Sequence, residues 1–286
     1  MIPAPFEYVR ATSLDHASAL LTADEDAKAL AGGMSLIPLL RLRLARPTTL
    51  IDLGPLRGEL AYVRDEGAYV AIGALTRHHD LATSATLRTR IPLLAHVASL
   101  VGDPQVRHRG TLGGSVAHAD PAADLPAVLS TLEAGVVVQD GHARRELDTQ
   151  SFFQGFLETA LRPGELVVEV RIPVPAPGHG WAYTKFNRRA QDWAIVAVAA
   201  IVERSGESIT RAAVGLANMA STAVRATGVE RALAGGDATG IAPAADHATE
   251  GTSPVTDLGA DAAFRRHLAR TLSRRTVHEA YERAAA

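Results

Sequence analysis

Two segments built of small residues carry the spacing most suited to chemistry. Ala31-Gly32-Gly33-Met34-Ser35 follows a short apolar run and precedes a helical pattern. Glycines there let the backbone bend and approach a ligand with no Cβ in the way. A helix starting directly afterwards presents unpaired N–H groups suited to a phosphate. No Lys-Ser/Thr follows, so the segment is not a P-loop, and its spacing is not GxGxxG. Taken alone it reads first as a tight turn before a capping Ser35. The second segment, Gly110-Thr111-Leu112-Gly113-Gly114-Ser115, runs on through His118 to two carboxylates, Asp120 and Asp124. A carboxylate there can accept from ribose or ring N–H donors, or cap the helix that begins near Asp124. His118, Asp120 and Asp124 make a poor metal set, because the intervening proline gives them no helical register. A pyrophosphate needs donors on both flanks, and two such segments from separate parts of the chain can supply them.

The composition narrows the chemistry further. There is no cysteine, which excludes disulfides, cysteine nucleophiles, thiolate zinc sites and cysteine-ligated iron–sulfur clusters. Any redox work must then run on a bound organic cofactor or on a partner's metal centre. A net charge of −2 argues against holding duplex nucleic acid by bulk charge. With 47% apolar and 21% charged residues the chain has the material for a packed core. No apolar run approaches the roughly 20 residues that span a bilayer, and MIPAPFEYVR lacks the shape of a signal peptide, so a cytoplasmic protein is expected. His78 and His79 point about 100° apart on a helix, which assigns them surface or capping roles. The arginines at 41, 43, 46 and at 266, 270, 274 read as solvated faces. Trp181 and Trp193 read as anchors, either of the core or of a ligand.

The elements that must position these residues alternate between strand and helix. A helix from Ser13 to Leu21 capped by Ser13, a strand Lys28 to Leu30, a helix Ser35 to Leu44 and a strand Thr48 to Leu53 follow a βαβ rhythm. Leu60, Tyr62 and Tyr69 to Ile72 flank an Asp65-Glu66-Gly67 turn and predict a hairpin. Helices are expected over Thr76–Ala82, Pro92–Val101 and Asp124–Leu132, and a second hairpin around Asp140-Gly141. Val167 to Ile172 alternates like a strand, and Pro173 to Gly180 then reads as a boundary. Beyond it come strands Trp181–Arg188, Ile195–Val202 and Ile209–Leu216, a helix Thr222–Leu233, a loop Ala234–Pro254 and a final helix from about Asp261 to Ala284. The result is an α+β chain in two parts, 1–175 and 176–286, the first divided near residue 55.

AGGMSLIP (Ala31 to Pro38) and RGTLGGSVAHADPAADLPAVL (Arg109 to Leu129) resemble the two FAD-binding motifs of the medium, flavin-carrying subunit of molybdenum hydroxylases, the xanthine dehydrogenase and aerobic carbon monoxide dehydrogenase family. The resemblance covers nearly the whole chain, including Lys185-Phe186 and the final helix. One departure is visible: the family reads Arg-Asn-x-Gly-Thr where this chain has Arg107-His108-Arg109-Gly110.

That resemblance implies a vanillyl-alcohol-oxidase-type FAD fold of two subdomains, then a C-terminal domain of three antiparallel strands and helices. FAD would lie between the subdomains. Ala29, Leu30, Ala31, Gly32, Gly33, Met34, Ser35 and Leu36 would face Thr111, Gly113, Gly114 and Ser115 across the pyrophosphate. His118 lies in the second motif, Val101 is another family contact, and Asp124 would face the adenosine or ribitol side. Val168 and Lys185 would lie towards the isoalloxazine, with Gln191-Asp192 on a loop near it. The implied partners are a [2Fe–2S] small subunit and a molybdopterin large subunit, with a soluble electron acceptor. No acid–base catalyst is expected. A non-redox nucleotide- or anion-binding module and a free-standing flavin oxidase are the rival readings.

Overall fold

In the computed structural model, which describes residues 2–141 and 143–285, three large sheets carry the chain, beside a two-stranded one of Phe153–Gly155 and Glu158–Thr159. The first is parallel, with Thr49–Asp52 between Glu7–Arg10 and Lys28–Leu30. Parallel neighbours need crossovers, and helices Leu14–Ala23 and Leu36–Arg41 provide them. Ser13 starts the former as expected, its hydroxyl accepting from the His16 N–H. The latter ends at Arg41 rather than Leu44, because the chain turns through a left-handed Arg43 at φ 59°.

The second sheet is antiparallel, in the order Val63–Asp65, Tyr69–Gly73, Leu166–Pro173, Gly135–Asp140, Ala143–Asp148. Its middle strand arrives last, after the chain has laid down the helices between Tyr69–Gly73 and Gly135–Asp140. The stretch that glycine and proline mark as punctuation is folded there into two short helices, Pro104–Arg109 and Leu112–His118. Asp103 and Thr111 cap them, accepting from Val106 N–H and Gly114 N–H.

The third sheet holds three long antiparallel strands, Gly180–Phe186, Val196–Ser205 and Ser208–Ala217. A fourth, Val224–Arg225, adds only two residues, which delays the helix expected from Thr222 until Thr227. The expected loop at 234–254 contains short helical turns, Ala238–Gly240, Ile241–Ala245 and Asp246–Thr249. They are too brief to show a period, and tertiary burial of Ile241, Ala244 and Ala248 accounts for them.

Val196–Ser205 is apolar along most of its length because both its faces are covered. Ala197, Ala199 and Ile201 join a core with Leu94, Leu125, Val128 and Val170 from the earlier part of the chain. Val196, Val198, Ala200 and Val202 face Leu268, Leu272 and Val277 of the long helix Ala262–Arg283. Helix Asp124–Thr131 is buried at every residue and packs on this sheet. It thereby ties the second small-residue segment to Gly180–Phe186.

Candidate functional site

A cleft of about 520 Å³ opens between the first sheet, the short helices and the end of the third sheet. That is within the range of a cofactor-sized site. Leu39, Leu53, Val106, Leu161, Leu166 and Val167 supply apolar walls.

The two small-residue segments meet on its floor. A Cβ built on Gly32 would stand 2.2 Å from the Arg109 carbonyl oxygen and 2.8 Å from Gly110 Cα. Backbone touches backbone there, and only glycine permits it. The two segments nonetheless differ in what they offer. No hydrogen bond among the described residues is donated by the backbone N–H of Gly32, Gly33, Met34, Ser35 or Leu36. In the second segment Gly113 N–H donates to Ala74 O, Gly114 N–H to Thr111 Oγ1 and Ser115 N–H to Thr111 O. The weaker motif thus carries the free donors, while the stronger one spends its own on folding. Ser35 does not cap its helix, which leaves its hydroxyl to the cleft.

Asp124 sits at the far side. Its place in the sequence suits a helix cap, but Ala123 occupies that position and Asp124 is the first helical residue. Its carboxylate instead accepts from Tyr183 Oη at 2.5 Å and from Lys185 Nζ at 3.1 Å, and all three side chains are nearly closed to solvent. Burial pushes the Asp124 carboxyl above its ordinary value, against the Lys185 charge and the two hydrogen bonds that lower it. Burial together with Asp124 drives the Tyr183 phenol well upward. The arrangement joins helix Asp124–Thr131 to strand Gly180–Phe186 and fixes an ammonium at the cleft wall.

Of the expected site residues, Ala29, Ala31, Gly32, Gly33, Met34, Ser35, Leu36, Val101, Thr111, Gly113, Gly114, Ser115, His118, Asp124 and Lys185 line this cleft. Leu30 and Val168 do not. Successive strand residues point to opposite faces, so Ala29 and Leu30 diverge. Val168 lies at a register shift between Val167 and Glu169, and it packs with Leu14, Ala17 and Ile51 while Val167 faces the cleft. Trp193, half exposed, and Gln191-Asp192 line the mouth. Trp181 lies instead against the His96 ring, with centroids 5.3 Å apart.

His78 overturns its expected surface role. It is 3% exposed and lines the cleft, its backbone N–H donates to Gly110 O, and Nε2 is 3.2 Å from Ser115 Oγ. Burial and the Arg107 charge lower its pKa to about 4, so the ring is neutral at pH 7. Adjacency to His79 concealed this, since His79 goes the other way and stacks on His108. Arg107 beside it donates to Val101 O and Gly102 O and so braces the Val101 turn.

Among the described residues no three His, Cys, Asp or Glu side chains gather to hold a metal ion, and no helix is long and apolar enough to cross a membrane. The donors, the small-residue floor and the apolar walls fit a dinucleotide with an aromatic end.

The family profile described as the FAD binding domain in molybdopterin dehydrogenase matches residues 4–175. That of the CO dehydrogenase flavoprotein C-terminal domain matches residues 181–280. The carbon monoxide dehydrogenase medium chain of Hydrogenophaga pseudoflava is 41% identical, with all of both chains covered. The alpha subunit of the 6-hydroxypseudooxynicotine dehydrogenase complex of Paenarthrobacter nicotinovorans is 40% identical, covering 99% of this chain and 97% of the relative. Among solved structures, quinoline 2-oxidoreductase from Pseudomonas putida 86 superimposes with a TM-score of 0.93 at 33% identity, over 99% of each chain.

Proposed function

This chain belongs to the family of FAD-binding subunits of molybdopterin dehydrogenases, and from that premise we propose that it is the flavin-carrying, electron-transferring medium subunit of a heterotrimeric molybdenum hydroxylase. The observation that carries the reading is the backbone contact between Gly32 and Arg109-Gly110 at the floor of the cleft. FAD, when bound, takes up and gives out electrons one or two at a time.

The chain's own residues bind and orient. The free N–H groups of Gly32 to Leu36 and the Ser35 hydroxyl supply donors for the pyrophosphate from one side, and Thr111 to Ser115 close on it from the other. Asp124, held by Tyr183 and Lys185, is a fixed acceptor for sugar or ring donors. Trp193 is placed to cover the mouth. None of these groups needs to exchange a proton with a substrate, so the chain acts as a holder and not as an acid–base catalyst. A [2Fe–2S] small subunit and a molybdopterin large subunit complete the assembly, an external soluble acceptor drains it, and the complex works in the cytoplasm. Domain limits near 1–175 and 176–286 follow the same reading.

Expression of the chain with and without its neighbours tests this. The expected result is the two-banded absorption of oxidised flavin in the purified protein and co-purification with an iron–sulfur subunit. A colourless chain that does not take up added FAD refutes the cofactor, and a yellow chain that associates with neither subunit refutes the electron-transfer role.

A further inference from the structure

We propose that His78 is a positioning residue that fixes the hydrogen-bond polarity of Ser115, turning its hydroxyl into a donor toward the cleft. The inference rests on the flavin reading for the identity of the ligand, but its argument is local. A neutral imidazole has one N–H and one lone pair. Nδ1 of His78 is buried with no partner among the described residues, and Nε2 meets Ser115 Oγ at 3.2 Å. If the proton sat on Nδ1, a buried N–H would be orphaned, which folded proteins avoid more strictly than an unused lone pair. The proton therefore belongs on Nε2, which donates to Ser115 Oγ. With its oxygen engaged as acceptor, the Ser115 O–H is free to donate.

Ser115 lines the cleft, and a hydroxyl donor there suits an anionic oxygen. The opposite tautomer would consume the Ser115 proton and present an oxygen lone pair to the same anion, a repulsive contact. The His78 backbone N–H is bonded to Gly110 O, and the Nε2–Cδ2 edge of the ring packs against Gly110. His78 thus serves the second segment from beneath, acting through Ser115. The ligand class is a phosphate-bearing one, which in the flavin reading is the pyrophosphate of FAD.

Two measurements decide it. The imidazole ¹⁵N shifts of the protein as purified, at pH 7, should show His78 protonated at Nε2 and bare at Nδ1; a proton on Nδ1 overturns the proposal. A double-variant cycle on FAD affinity of the deflavinated protein should show Ser115→Ala and His78→Phe each raising Kd about tenfold, the worth of one hydrogen bond to a charged acceptor. The double variant should be no worse than either single one, and His78→Gln, which keeps a donor, should recover most of the affinity. Losses that multiply, or a His78→Gln protein as weak as His78→Phe, mean that His78 is only structural. Should His78→Phe fail to fold, the His78→Gln cycle and the ¹⁵N shifts still separate a positioning role from a structural one. Wild-type protein that binds no FAD refutes the flavin reading instead, and the tautomer measurement stands apart from that outcome.

Discussion

Replacing Gly32 with alanine is the most direct challenge to the meeting of the two segments. The new methyl carbon would lie 2.2 Å from the Arg109 carbonyl oxygen and 2.8 Å from both Arg109 C and Gly110 Cα. All three are backbone atoms, so no side chain can swing aside, and the segments must part by about 1 Å to reach ordinary contact. Forcing a methyl into packed backbone costs about 2 kcal/mol, in the middle of the overpacking range. If that separation falls on the bound state, FAD affinity drops roughly 30-fold. The assay is fluorescence titration of deflavinated protein with FAD, alongside the flavin-to-protein ratio as purified. Gly58→Ala is the matched control, since a Cβ there meets nothing within 4 Å and sits in the short helix Arg57–Leu60. It should hold flavin normally and gain up to about 1 kcal/mol of stability from helix propensity. A Gly32→Ala protein with native flavin content and native affinity would refute the argument that this contact shapes the site.

Three further outcomes follow from the same geometry. At Gly114 an added Cβ meets only Thr111 Oγ1, at 2.8 Å, whereas at Gly113 it strikes Ala74 Cβ at 2.5 Å. Gly114→Val should therefore lose flavin while keeping its melting temperature within a few degrees, and Gly113→Val should lower the melting temperature itself; the reverse order would show the roles misassigned. Asp124→Asn strands the Lys185 ammonium in a nearly closed site, at a cost of about 3–5 kcal/mol in urea unfolding. Asp124→Asn with Lys185→Met should regain most of that, and equal losses for single and double variants would argue against the pair. His78 takes a proton below about pH 4 when folded and below about 6.5 when unfolded. Between those values the unfolded chain binds more protons, so stability falls as pH drops, by roughly 3 kcal/mol from this one residue. His78→Gln should flatten the pH 7 to pH 4 slope by that amount, and a slope unchanged in the variant would rule out a buried neutral ring.

Local chemistry was legible where local chemistry decides. Ser13 announced a cap, alternation at Val167 to Ile172 announced a strand, and the absence of cysteine excluded a cluster before any fold was known. The glycine segments announced a close backbone approach, because only a residue without Cβ relieves a clash of main chain on main chain. What they approach, and which of them keeps its donors free, depended on partners far along the chain. Thr111 satisfies Gly114 locally, but Gly113 is satisfied by Ala74, and Gly32 is pressed by Arg109. Arg265 makes the same point at the other end. Among the exposed arginines 266, 270 and 274 it alone is buried, donating to the carbonyls of Ile195 and Val255 and paired with Asp257.

The sequence by itself determined the types of the longer elements, the chemistry that is impossible, and two small-residue segments that let backbone come close to backbone or ligand. Those properties depend on side-chain type and near neighbours, which a linear string contains. Tertiary structure alone decided that Asp124 turns from its own helix end to Tyr183 and Lys185, that His78 and not His79 reaches Ser115, and that Val168 yields the cleft to Val167. Each of those outcomes depends on register and packing between elements distant in the chain, and the cost of burying an unpaired polar group becomes selective only once they are brought together.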